Sequence, residues 1–193
     1  MPVISATLNI SMDGVIQAPG RPDEDTRGGF DRGGWAMPYN DEVMAQRMGE
    51  RMAASGAMLF GRRTYEDFYG YWPQQTDNPF TPHLNQATKY VVSSTLSEPL
   101  PWENSILLPG DPAATVGELK GHPGPDLAII GSALLVRSLL AASLIDRYVL
   151  LIHPLVLGQG RRLFDERGPA LDFELIDSVA TSTGVIIATY ERR

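Results

Sequence analysis

The sequence predicts an α/β fold: a largely parallel sheet covered on both faces by helices, made mixed by a C-terminal antiparallel hairpin. Three observations carry this. Short β-branched runs alternate with segments of helical periodicity through the middle of the chain. The turns between them hold Gly, Ser, Thr and Asp where strands end and helices need caps. The last two apolar runs are separated by little more than Ser182-Thr183 and read as a hairpin.

Val3 to Ile10 is the first strand, rich in β-branched residues, and Ser11-Met12-Asp13-Gly14 turns the chain. Pro19 to Gly34 is a polar, Gly-rich loop, longer than ordinary connections and so of functional interest. Asn40 and Asp41 offer caps for a helix over 41–54, in which Met44, Met48 and Met52 stack at i, i+4, i+8 as core packing. Ala57 to Phe60 is a short buried strand, and a helix begins near Thr64. Trp72 to Pro82, with three prolines, is loop; Thr81-Pro82 suits the start of a further helix. Lys89–Val92 and Ser105–Leu108 are strands, and Asp111-Pro112 caps a helix to about Lys120. Asp126 to Ile130 is a strand feeding Gly131-Ser132 and a helix that ends near Ala142. Within the next apolar run, Asp146 to Pro154, the segment Tyr148–Ile152 suits either a buried core strand or a dimer face. Leu171 to Thr181 and Gly184 to Tyr190 form the hairpin.

At 193 residues the chain reads as one domain, 1–193, large enough to bury a core without staples. It has no cysteine, which removes disulfides and thiolate chemistry and fits a reducing cytoplasm. A net charge of -7 argues against a nucleic-acid partner, which needs a basic face. No apolar run approaches the roughly 20 residues of a membrane span, and the N-terminus lacks a basic signal-peptide start, so a cytoplasmic protein is expected. The three histidines, His83, His122 and His153, are far apart in sequence and suggest no metal site.

In an open α/β sheet ligands bind at the carboxyl ends of the strands. Three turns fall there. Gly61-Arg62-Arg63-Thr64 offers backbone amides, a hydroxyl and two guanidiniums; Ser93 and Ser94 add hydroxyls; Gly131-Ser132 gives a close backbone approach, with Ser132 placed to cap the helix it opens. Together they suit a dinucleotide with an arginine on a 2′-phosphate.

These motifs carry a resemblance. Ser11-Met12-Asp13-Gly14-Val15-Ile16, Gly61-Arg62-Arg63-Thr64-Tyr65-Glu66, Val91-Val92-Ser93-Ser94-Thr95-Leu96 and Ile130-Gly131-Ser132-Ala133-Leu134-Leu135 resemble the dihydrofolate reductase superfamily. The block His153-Pro154-Leu155-Val156-Leu157-Gly158-Gln159-Gly160-Arg161-Arg162-Leu163-Phe164 is most similar to the reductase domain of the bifunctional riboflavin-biosynthesis deaminase–reductase and its stand-alone relatives. The resemblance implies a three-layer α/β/α fold, NADPH as hydride donor, a small pyrimidine or pteridine-like heterocycle as substrate, and often a homodimer. It extends to reduction of a ribosylaminouracil phosphate in riboflavin biosynthesis. By position, Thr64 and the amides of Arg62 and Arg63 would hold the pyrophosphate side, and Arg62 or Arg63 with Ser94 the 2′-phosphate. Gly131, Ser132, Ala133 and Leu134 would line the diphosphate and nicotinamide side; Ala6 and the Gly14-Val15-Ile16 turn would border the nicotinamide.

Folate reductases place a carboxylate after a Trp-x-x-Pro segment. Here Trp35-Ala36-Met37-Pro38 is followed by Tyr39-Asn40-Asp41, with the acid one residue later. Asp41 and Asp13 are therefore the candidate catalytic acids, against the alternatives of a helix-dipole partner and an Asp-Gly turn residue. The competing functional class is a nucleotide-binding module of the same fold without turnover.

Overall fold

The computed structural model describes residues 1–78, 80–164 and 168–193; Pro79, within the expected Trp72–Pro82 loop, lies outside the described residues. The strands are β1 (Ile4–Ser11), β2 (Ala57–Gly61), β3 (Thr88–Val92), β4 (Ser105–Leu108), β5 (Leu127–Ile130), β6 (Arg147–His153), β7 (Phe173–Ala180) and β8 (Ile186–Arg192). The helices are α1 (Glu42–Ala54), α2 (Arg62–Tyr71), α3 (Thr81–Gln86), α4 (Pro112–Gly121) and α5 (Ala133–Ala141), with short 3-10 turns at Arg27–Gly29, Met37–Tyr39 and Trp72–Gln74. The strand order is β4-β3-β2-β5-β1-β6-β8-β7, the expected mixed sheet with its terminal hairpin. The chain forms two compact units, Met1–Ala6 with Gly49–Asp146 and Thr7–Met48 with Arg147–Arg193.

In the first unit β2 pairs in parallel with both β3 and β5, and β3 with β4. Successive side chains of a strand point to opposite faces. Met58 and Phe60 share one face and pack with Tyr65 of α2, Leu84 of α3, Val91 and Trp102. The Tyr65 hydroxyl accepts from the Trp102 amide at 3.0 Å. Lys89 is fully buried; its ammonium donates to the carbonyls of Leu84, Asn85 and Ala87 at 2.7, 3.1 and 2.7 Å, where α3 ends, and sits 4.7 Å from the Trp102 ring centre. A cation at a helix C-terminus satisfies carbonyls that the helix itself cannot. Lys120 is likewise committed, 2.6 Å from the Asp146 carboxylate and 2.8 Å from the Leu144 carbonyl. The Asp111 carboxylate accepts from the Ala114 amide at 3.0 Å, the cap expected for α4.

In the second unit β8 pairs antiparallel with β6 and β7. Tyr148 to Leu151 are at most 8% exposed, so that run is a core strand. Val149, Leu151, Val185 and Ile187 pack with Met44 and Met48 of α1. Met52 belongs instead to the Met58 cluster of the first unit, so the methionine row serves two cores rather than one. A second cluster of Val15, Ala18, Phe30, Trp35, Ala36 and Leu157 lies under the Pro19–Gly34 loop. Gly160, at φ 114, is required there: a Cβ would lie 2.7 Å from Val15 and 2.8 Å from Phe30.

Candidate functional site

The first unit brings together the three turns. Gly61 is opposite Val92 in the β2–β3 register, so the residues that follow, Arg62-Arg63-Thr64 and Ser93-Ser94, leave neighbouring strands at the same end. β5, in register with β2 from Ala57 and Leu127, ends at Ile130, and Gly131-Ser132 follows. Gly131 and Ser132 are both left-handed, at φ 73 and φ 60. A serine tolerates that backbone at a cost, and its hydrogen bonds show what offsets it. Ser132 Oγ donates to Thr64 Oγ1 at 2.7 Å and accepts from the Gly61 amide at 2.9 Å.

This corrects the expected cap. Ser132 occupies the N-cap position of α5 but makes no capping bond, because its hydroxyl is spent on the β2–α2 turn. The first amides of α5, at Ala133 and Leu134, have no partner within the helix and gain none from Ser132. Leu134 is exposed beside them.

The other members divide. α2 starts at Arg62, two residues before the expected Thr64. Arg62 is tied to Glu66 by bonds of 3.0 and 3.1 Å, an i,i+4 pair, whereas Arg63 is exposed and makes no ion pair among the described residues. Ser93 is buried and its hydroxyl accepts from the amides of Thr95 and Leu96 at 3.1 and 3.0 Å, so it shapes the turn; Ser94 is exposed. Ala6 is fully buried.

In the second unit, Gly14-Val15-Ile16 is pinned by the residues after β6. The Ile16 amide donates to the Arg161 carbonyl and the Leu163 amide to the Gly14 carbonyl, each at 2.9 Å. Asp13 is saturated. Its carboxylate accepts from Ser11 Oγ at 2.6 Å, the Leu157 amide at 3.1 Å, the Gly158 amide at 2.9 Å and Arg162 at 3.3 Å. Burial pushes its pKa up, but the bonds from Ser11, Leu157 and Gly158 outweigh this and lower it to about 2. Asp41 is equally occupied. One oxygen accepts from the Met44 amide at 2.8 Å, as the cap of α1; the other takes the Ser182 amide and hydroxyl at 2.7 Å each, in the β7–β8 turn. Ser182 is the main cause that holds its pKa below the usual carboxylate range.

Sequence reasoning missed a polar pair in this unit. His153, at the end of β6 and fully buried, lies with Nε2 2.9 Å from Asn9 Oδ1 on β1. The partner is an acceptor, so Nε2 carries the proton, and Nδ1 has no partner among the described residues. Trp35 and Tyr39 meet the ring edge-on at 5.2 and 5.3 Å. Burial lowers the pKa of His153 to about 4, so the ring is neutral. The signal in the sequence was a polar residue at an alternating position of each strand.

Two cavities are lined by residues other than the three turns. One, of about 480 Å³, lies in the first unit between β4 and α4, with Asp111, Glu118 and His122 in its wall. The other, of about 360 Å³, is in the second unit beneath Arg27, Phe30 and Arg161. Among the described residues no three His, Cys, Asp or Glu side chains cluster as a metal site, and no helix is long and apolar enough to cross a membrane.

A parallel set of strands with these turns, continued into an antiparallel hairpin, defines a dihydrofolate reductase-like fold. Within that class the chain belongs to the RibD C-terminal domain family, which it matches over residues 2–187. It is 29% identical over 139 residues to the uncharacterized protein YyaP of Bacillus subtilis, covering 69% of this chain and 72% of that one. Among solved structures it resembles a putative riboflavin biosynthesis protein from Shewanella, with TM-score 0.66, 23% identity and 99% of each chain covered. It also resembles dihydrofolate reductase from Enterococcus faecalis complexed with NADP(H) and RAB-propyl, with TM-score 0.60, 15% identity, and coverage of 99% of this chain and 96% of that one.

Proposed function

We propose that this chain is a reductase that uses NADPH to reduce a small pyrimidine or pteridine-like heterocycle, of the kind handled in riboflavin biosynthesis. The observation that carries the reading is the alignment of three turns at the ends of neighbouring parallel strands, two of them locked together through Ser132, Thr64 and Gly61. Family membership and the NADP(H) bound by the Enterococcus enzyme support it.

The residues fit such a cofactor. Gly131 and Ser132 hold the backbone left-handed, and the first amides of α5, without a side-chain cap, lie at a positive helix end, which favours a diphosphate. Thr64 completes that side. Arg63, free where Arg62 is tied to Glu66, is the arginine for the 2′-phosphate, with Ser94 beside it on the neighbouring turn. NADPH, when bound, supplies the hydride. The chain's own work is to bind and orient. Asp13 and Asp41 hold turns in place and stay ionised, so in this reading neither delivers the proton.

Titration with NADPH and NADH, followed by tryptophan emission, tests the reading. NADPH binds more tightly, and Arg63→Gln narrows the preference about tenfold or more, since a charge-assisted bond contributes roughly 1.5–3 kcal/mol. Arg62→Gln leaves it nearly unchanged. Equal binding of the two cofactors by the wild type rejects the assignment of NADPH.

One observation favours a second reading, a nucleotide-binding module without turnover: both candidate acids are fully engaged by protein donors. Turnover of any pyrimidine or pteridine-like heterocycle with NADPH excludes the module. Tight NADPH binding with no such turnover excludes the reductase. The homodimer stays part of the proposal, supported by an edge strand, β7, that leaves Leu175 and Ile176 53% and 51% exposed; light scattering that shows a monomer removes it.

A further inference from the structure

β4 is an outermost strand of the sheet, and α4, which follows it, leaves a trough beside the strand's end. Its volume is about 480 Å³, inside the roughly 300–1,000 Å³ range of small-ligand sites. Leu108, which ends β4, and Pro109 form one wall. A single stripe of α4 and its cap forms the other: Asp111, Ala114, Thr115, Glu118, Leu119 and His122 recur at the three- and four-residue spacing of one helical face. Ile106 shares the Leu108 face of β4 and is 43% exposed, so the apolar surface continues along the strand.

Two carboxylates line this trough, and among the described residues no lysine or arginine does. Asp111 gives one oxygen to the Ala114 amide at 3.0 Å. Its other oxygen, the Glu118 carboxylate and the Thr115 hydroxyl make no hydrogen bond among the described residues. The lysine of α4 does not supply a cation here, because Lys120 is held 2.6 Å from Asp146 and 2.8 Å from the Leu144 carbonyl. The positive end of α4 compensates Asp111 alone, since its field fades within the first turn. Asp111 and Glu118 stand about two turns apart, so roughly 10 Å of helix axis separates them. One metal ion cannot bridge that distance, and the described residues hold no three-ligand cluster. The spacing suits a ligand with a cation at each end and methylenes between, lying along Leu108, Ala114 and Leu119.

We infer that this trough binds a linear polyamine, with its terminal ammonium groups on Asp111 and Glu118 and its methylene chain against Leu108 and Leu119. Spermidine, when extended, holds its terminal nitrogens about that far apart. Its inner ammonium then comes level with Thr115, whose hydroxyl accepts. Charge-assisted bonds at the two ends and water displaced from the apolar wall between them act together. The site does not rest on the reductase reading: no residue of the three turns lines it, and binding alone tests it.

Calorimetric titration of the whole chain at fixed ionic strength, with spermidine, putrescine and octylamine as probes, decides it. Spermidine should bind saturably, about fivefold or more tighter than putrescine, which is too short for both acids, and than octylamine, which carries one charge. Glu118→Gln should weaken spermidine about threefold or more, and the exposed position makes the variant safe for folding. Asp111→Asn should do the same, because asparagine keeps the helix cap and loses the charge. Ala114→Phe fills the trough, leaves both acids and should abolish saturable binding. Glu174→Gln, at an exposed acid of β7, should change nothing. No saturable spermidine binding overturns the proposal, as does octylamine or putrescine binding as tightly. An equal loss in Glu174→Gln and Glu118→Gln overturns it too, since that marks a general attraction of polyamines to an acidic protein. Wild-type affinity in Ala114→Phe places the cation outside the trough and has the same force. Should Ala114→Phe fail to fold, the comparison of Glu118→Gln with Glu174→Gln decides alone.

Discussion

Ser132 shows how a single side chain can stand in for the freedom of a glycine. Its left-handed backbone costs roughly 1–2 kcal/mol, and two hydrogen bonds to the β2–α2 turn offset it. Ser132→Ala keeps the strain and loses both bonds, so it should destabilise the protein by about 1–3 kcal/mol in urea unfolding. Ser132→Gly loses the same bonds but relieves the strain, and should be the milder by about 1 kcal/mol. Both should weaken NADPH binding under the proposed function. The strand-Gly-Ser-helix pattern was legible in the sequence; the partner was not, since Thr64 lies 68 residues away. The same holds for His153 and Asn9, 144 residues apart, which only the sheet brings together. Local chemistry announces a turn, whereas a bond between two turns depends on strand order.

At the scale of elements, caps and strands followed from the sequence because their causes are local. Asp111 before Pro112, Thr81 before Pro82 and the β-branched runs all mark elements within a residue or two of the observed bounds. Asp41 capped α1 as expected, but its second oxygen also holds the β7–β8 turn through Ser182, which no local pattern could disclose. Asp41→Ala should therefore accelerate amide hydrogen exchange at Met44 and Ser182 together. Acceleration at Met44 alone would show that the hairpin turn holds without it. The split of the methionine row has the same origin: one helical face met two clusters, and periodicity alone cannot count clusters.

For the whole molecule, the buried neutral His153 sets an acid limit on stability. Its pKa is about 4 in the folded chain against an ordinary 6.5. Between those values the unfolded chain binds more protons, so stability is complete above about pH 6.5 and falls as the pH drops towards 4. The loss should reach about 3 kcal/mol, read from urea midpoints across that range. His153→Gln should be less stable at pH 7 but show a flatter profile between pH 6.5 and 4. A profile as steep as the wild type's would assign the acid limb to other groups.

The two lysines of this chain are Lys89, fully buried beneath Trp102, and Lys120, clamped on Asp146. All other permanent cations are arginines, apart from the chain's own amino group. To an amine-reactive label the folded protein therefore offers no fully exposed lysine: Lys89 is buried and the Lys120 side chain is 15% exposed. Labelling of Lys89 and Lys120 during denaturation would then report the opening of those two pockets directly.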